Sequence, residues 1–155
     1  MKKFNQIASR IRYETIKLVH ESKTAHLGSC LSCIDILVAT YFSKLLFKSK
    51  VNNKQNLKDT FILSKGHAAP ALYVVLQMQG YISKKLLKTY AKPNSYLEEH
   101  PNIKINGVLV SSGSLGHGLS YAAGIALADK IKKQKNTHIV LMSDGECNEG
   151  STWEA

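Results

Sequence analysis

Apolar residues near the N-terminus recur at helical spacing. Ile7, Ile11 and Leu18 fall on one face, which predicts a helix over residues 5–22. The small and polar residues Thr24-Ala25-His26-Leu27-Gly28-Ser29 break that pattern. Ile34, Leu37, Val38, Tyr41 and Leu45 then share a face and predict a second helix over 32–46. Asp35 lies inside that apolar segment and needs a polar partner or water. Residues 47–58, rich in Lys and Asn, read as a surface loop.

Thr60-Phe61-Ile62-Leu63-Ser64 is a short run suited to a buried strand, leaving through Lys65-Gly66-His67. Ala68 to Gln79 predicts a helix ended by Gly80, with Pro70 tolerated in its first turn. Ser83 can cap a further short helix through Tyr90. Residues 92–106 carry no regular period, and Gly107 to Val110 predicts a short extended stretch. The helix expected over 117–134 contains Gly118, Ser120, Ala122, Ala123, Gly124, Ala126 and Ala128. Such small residues allow close backbone approach and predict a central position. A second buried strand is expected over His138 to Met142, and Ser151-Thr152-Trp153-Glu154 has the form of a capping box. Strands alternating with helices place the chain in the α/β class, a mainly parallel sheet flanked by helices.

Composition narrows the function classes. The chain has 155 residues, the length of one domain, 44% of them hydrophobic and 21% charged. No apolar stretch approaches the ~20 residues that a membrane span requires. The N-terminal Met1-Lys2-Lys3-Phe4-Asn5-Gln6 is not followed by an apolar core, so no signal peptide is read and a cytoplasmic location is expected. The formal charge of +10 comes from 21 basic and 11 acidic residues. The lysines are dispersed and lack interleaved aromatic residues, which favours solvated faces over a nucleic-acid surface. Three cysteines, an odd and low count, fit a reducing compartment. Cys30-Leu31-Ser32-Cys33 stands at an expected helix start, where a thiol pKa could fall, but no second pair completes a zinc site and packing is the expected role of both cysteines.

Candidate chemistry gathers at three junctions: Ser64-Lys65-Gly66-His67, Gly113-Ser114-Leu115-Gly116-His117-Gly118 and Asp144-Gly145-Glu146. A helix N-terminus offers free N–H groups to a phosphate, and glycines let the anion reach them. Asp144 follows an apolar run at the point where a buried parallel strand would end, and open α/β sheets place ligands there. A carboxylate beside a glycine at that point suits a Mg²⁺-diphosphate. The Gly113–Gly118 loop lacks the P-loop ending and the Rossmann spacing, and by itself reads more readily as a tight helix entry.

Taken in order, these segments resemble the N-terminal part of transketolase. They are Ala25-His26-Leu27-Gly28, Leu63-Ser64-Lys65-Gly66-His67-Ala68, Glu99-His100-Pro101, Gly113 to Gly118, and Ser143-Asp144-Gly145-Glu146-Cys147-Asn148-Glu149-Gly150. The resemblance implies a thiamine-diphosphate- and Mg²⁺-dependent transferase, with Ca²⁺ or Mn²⁺ able to replace Mg²⁺. It would move a two-carbon ketol unit between sugar phosphates. Carried over residue by residue, Asp144 matches the metal-binding aspartate and Gly145 its diphosphate-contacting neighbour. His67 resembles a histidine on the diphosphate, and Gly113, Ser114 and Leu115 match the loop along the thiamine. His26 and His100 resemble histidines facing the substrate. Glu149 resembles an acidic residue near the contact between two active sites, which implies an oligomer.

Two departures stand out: Ser143 replaces the usual glycine, and Ser114 the frequent proline. The resemblance also implies a second metal ligand, an asparagine, beyond Ala155, and a separate pyrimidine-binding domain. Only 11 residues follow Asp144. The expectation is therefore that residues 1–155 are the N-terminal part of a pyrophosphate-binding domain, truncated within the thiamine-diphosphate motif. It would work with a C-terminal subunit or the remainder of the chain. The alternatives are a catalytically silent module and an enzyme like deoxyxylulose-phosphate synthase. Ser64-Lys65-Gly66-His67-Ala68 favours transketolase over the latter.

Overall fold

The computed structural model describes residues 2–43 and 59–155. Helix α1 (Lys2–Ser22) buries Ala8, Ile11, Thr15 and Val19, a stripe at steps of three and four, with Ile7 and Leu18 packed at its edges. The expected second helix is two: α2 (Leu27–Ser32) and α3 (Ile34–Phe42), separated at Cys33. The polar run at 24–29 therefore ends sooner than its composition suggests. Leu45 and the Lys- and Asn-rich loop at 47–58 lie outside the described residues. Asp35 points outward from α3 and pairs with Arg12 of α1.

Strands β1 (Thr60–Leu63) and β2 (His138–Leu141) pair in parallel, Thr60 opposite His138 and Leu63 opposite Leu141. All four β1 residues are buried. Thr60 Oγ1 lies 2.8 Å from His138 Nδ1, so His138 ties the two strands at their N-terminal ends. A 3₁₀ turn at Gly66–Ala68 leads from β1 into α4 (Ala69–Met78), whose residues from Ala69 to Leu76 are all buried. Helix α4 is hydrophobic all round because α1, α2 and α3 pack against it. Ser83 caps α5 (Lys84–Leu87), accepting from Leu86 N at 3.0 Å, and the helix ends three residues before Tyr90.

Residues 92–106 are irregular as expected, yet Leu97 and Ile105 enter the core. Gly107 to Val110 forms no strand. Gly107 has a φ of +91° and Val108 N donates to Ile105 O, so a turn replaces extended backbone. Helix α6 (His117–Ile131) is not central. Only Gly118 and Ala122 are buried, while Tyr121, Leu127 and Ile131 are exposed. Its first two turns alone reach the interior, through Gly118 and Ala122, and the remaining small residues face outward. Helix α7 (Gly150–Glu154) starts one residue before Ser151, so the expected capping box is absent. Thr152 Oγ1 instead donates to Glu146 O at 2.7 Å. Among the described residues, no helix is long and apolar enough to cross a membrane.

Candidate functional site

The C-terminal ends of both strands open onto one region. Past β1, Ser64 and Lys65 are buried and His67 is half-buried. The His26 ring lies 5.3 Å from the His67 ring, centroid to centroid. His26 stands before α2 with a φ of +67°, a left-handed conformation that is uncommon for a residue with a side chain. Backbone strain of this kind concentrates at functional sites. His100 belongs to the irregular segment but is held in place, because the buried Tyr73 shares its one hydroxyl proton between His100 O at 2.9 Å and Glu98 O at 3.0 Å. A Cβ placed on Gly66 or Gly113 would lie 3.0 Å and 3.2 Å from His100 Cδ2. The three histidines and the Gly113 loop thus converge, although His26 and His100 are far apart in the chain.

Burial lowers the His67 pKa below the usual 6.5, and positive charge on Lys65, His26 and His100 adds to this, against a smaller pull from Glu146. His67 is therefore expected to remain neutral below pH 6.5, with NMR titration of its ring protons as the check. Lys65→Met should raise the midpoint, and a wild-type midpoint at or above 6.5 would contradict the arrangement. Because the folded pKa is the lower one, the unfolded chain binds the extra proton first. The contribution of His67 to stability is thus complete above pH 6.5 and is lost as pH falls through the folded value.

By sequence, Lys65 stands only within its motif and has no role of its own. It is only 6% exposed, and its Nζ lies 3.2 Å from Ser32 Oγ. Its position in Ser64-Lys65-Gly66-His67 was the available signal. Cys30 and Cys33 are buried beside it. Desolvation pushes the Cys30 thiol up to about 11 and raises Cys33 as well. Both sulfurs face the core, so the two cysteines pack as small apolar residues and neither thiol pKa is lowered by the helix start at Leu27.

Past β2, Asp144 is exposed, and among the described residues nothing bonds its carboxylate. Gly145 next to it faces open space, since a Cβ there would meet nothing within 4 Å. Ser114 is exposed with Oγ 3.5 Å from His117 Nε2, and Leu115 is half-buried. Glu149 is exposed and precedes α7, where it packs on Gly116. Gly116 has a φ of +79°, which only glycine adopts without penalty. Among the described residues, no group of three or more His, Cys, Asp or Glu side chains could hold a metal. Asp144 is thus a single hard oxygen donor with free lone pairs, suited to a cation that takes its other ligands elsewhere.

Glu146 likewise appears in the sequence only within its motif, with no role of its own. It follows Asp144 and Gly145 in sequence but is fully buried, and burial, which would raise its pKa, is outweighed. Hydrogen bonds from Ser64, Ser143 and Gly116 hold the carboxyl below its ordinary range. Ser143 does not take a positive φ, so serine fits the turn where glycine is usual.

A family model described as the thiamine diphosphate binding domain of transketolase matches residues 3–155. The chain belongs to the transketolase family. It is 41% identical over 145 residues to one of the subunits of apulose-4-phosphate transketolase from Phocaeicola vulgatus, covering 93% of this chain and 51% of that protein. It is 37% identical over 149 residues to 6-deoxy-6-sulfo-D-fructose transketolase subunit SqwG of a Clostridium species, covering 96% and 54%. This transketolase-family chain thus spans about half the length of these relatives. Its fold superimposes on the crystal structure of Campylobacter jejuni transketolase with a TM-score of 0.87 at 28% identity, over 99% of this chain and 25% of the other. The two parallel strands are therefore part of an α/β thiamine-diphosphate-binding fold.

Proposed function

We propose that this chain supplies the pyrophosphate-binding side of a transketolase active site, as the N-terminal part of that domain. It would act with a C-terminal subunit or the rest of the enzyme on sugar phosphates. The observation that carries this reading is the convergence of His26, His67, His100 and the Gly113 loop at the end of β1, beside the β2 turn bearing Asp144. Two relatives bear names of transketolase subunits, which supports a partner chain.

Asp144 would ligate Mg²⁺, and Gly145 leaves room for a diphosphate oxygen to approach the backbone. Bound thiamine diphosphate would supply the carbanion chemistry that protein side chains lack. His67, kept neutral, can donate one N–H to a diphosphate oxygen without adding a second positive charge. Gly113, Ser114 and Leu115 would line the thiamine. His26 and His100, both exposed, can bond sugar hydroxyls and orient the substrate. Glu149 would face the contact between subunits.

The test is a coupled ketol-transfer assay with a ketose phosphate donor and an aldose phosphate acceptor. The chain is assayed alone and with the product of the adjacent reading frame. Turnover is expected only for the combination. No turnover with any partner would sink the split-enzyme reading, and turnover by the chain alone would remove the need for a partner.

A further inference from the structure

Four hydrogen bonds converge on one carboxylate that water does not reach. Glu146 is fully buried. Its Oε1 accepts from Ser64 Oγ and from Gly116 N, the latter at 2.9 Å. Its Oε2 accepts from Ser143 N at 2.8 Å and Ser143 Oγ at 3.2 Å. The donors stand at three separate junctions: the end of β1, the entry to α6 and the exit of β2. Ser64 Oγ in turn accepts from Gly118 N at 3.1 Å, so the first turn of α6 is tied to the same point.

No cation pairs with this carboxylate among the described residues. Burying a lone charge is costly, and apolar packing would brace three segments with less desolvation. What the charge provides is direction. An ionised carboxylate only accepts, so each amide and hydroxyl around it must point inward. The two amides so oriented, those of Gly116 and Ser143, adjoin Leu115 and Asp144 in the chain.

We propose that Glu146 is a positioning residue that keeps the Gly113–Leu115 loop and the Asp144–Gly145 turn in register, so that both meet one metal-bound diphosphate. This inference rests on the cofactor reading above. Glu146 does not touch the ligand and acts through Gly116 and Ser143. Ser143 contributes two of the four bonds, one of them from a hydroxyl that the family's usual glycine lacks.

Glu146→Gln keeps the shape but offers one acceptor oxygen, so its amide nitrogen must face an N–H of Gly116 or Ser143. Ser64→Ala removes one donor and keeps the charge. Both variants are prepared in the full chain assembled with its partner. Amide exchange is followed at 113–118 and 143–149, with cofactor KM and kcat measured in parallel. For Glu146→Gln, exchange at Gly116 and Ser143 should quicken together while α4 is unchanged. The KM for thiamine diphosphate should rise about tenfold, more than kcat falls, as for groups that orient a binding shell. Ser64→Ala should shift both readouts the same way, by less. A fall in kcat or melting temperature with unchanged cofactor KM in both variants would overturn the role given to Glu146. Should Glu146→Gln fail to fold, unchanged KM in Ser64→Ala alone overturns it. A wild-type assembly that binds no thiamine diphosphate would instead overturn the cofactor reading itself.

Discussion

Gly118→Ala should destabilise the fold by about 3 kcal/mol, the upper part of the range for overpacking a tight interior. A Cβ at Gly118 would lie 2.9 Å from Ser64 Cα and closer still to the Ser64 side chain. Neither obstacle is a flexible chain end, so β1 and α6 would have to separate. That separation would also stretch the Gly118 N to Ser64 Oγ bond and disturb Glu146 beyond it. The melting temperature should fall by roughly 6–12 °C for a domain of this size. Gly124→Ala, in the same helix, is the matched control. Nothing lies within 4 Å of its added Cβ, and better helix propensity should stabilise it by up to about 1 kcal/mol. Thermal melts of the two variants that coincide would refute the close contact of α6 with β1.

Asp144→Asn is expected to separate stability from binding. The side chain is exposed and makes no bond among the described residues, so unfolding should change by no more than about 0.5 kcal/mol. On the proposed cofactor reading, loss of the negative charge should nonetheless weaken Mg²⁺-dependent thiamine diphosphate binding by at least about 100-fold, beyond the upper end for outer-shell changes. Calorimetry of the assembled enzyme, with and without Mg²⁺, provides the comparison. Affinity that is equal in wild type and variant would remove Asp144 from the metal site. Taken with Gly118→Ala, the pair distinguishes the ligand role proposed for Asp144 from the architectural role of Gly118.

Local patterns were legible where burial acts on adjacent residues. The stripe of α1, the buried run of β1 and the break at Gly80 each follow from spacing within one segment. The split at Cys33 was not legible, because α2 is a short helix whose apolar residues continue the period of α3. The exposure of α6 was hidden for a different reason. Small residues permit close approach, but only the neighbours present decide whether approach occurs.

The order of short segments around His26, His67, His100, Gly113 and Asp144 was enough to identify the family, since glycine, histidine and acid positions survive as letters in a row. Folding alone decided which of them meet. His26 reaches His67 because α2 packs on the turn after β1, and His100 reaches Gly113 because Tyr73 anchors an otherwise irregular stretch of chain. Glu146 marks the boundary most sharply. In one dimension it is an acid after a glycine. In three it joins Ser64, 82 positions away, to Gly116, 30 positions away. Spacing within a segment encodes its secondary structure, but the partners of a buried charge lie on other segments, and only the packed fold brings them within hydrogen-bonding reach.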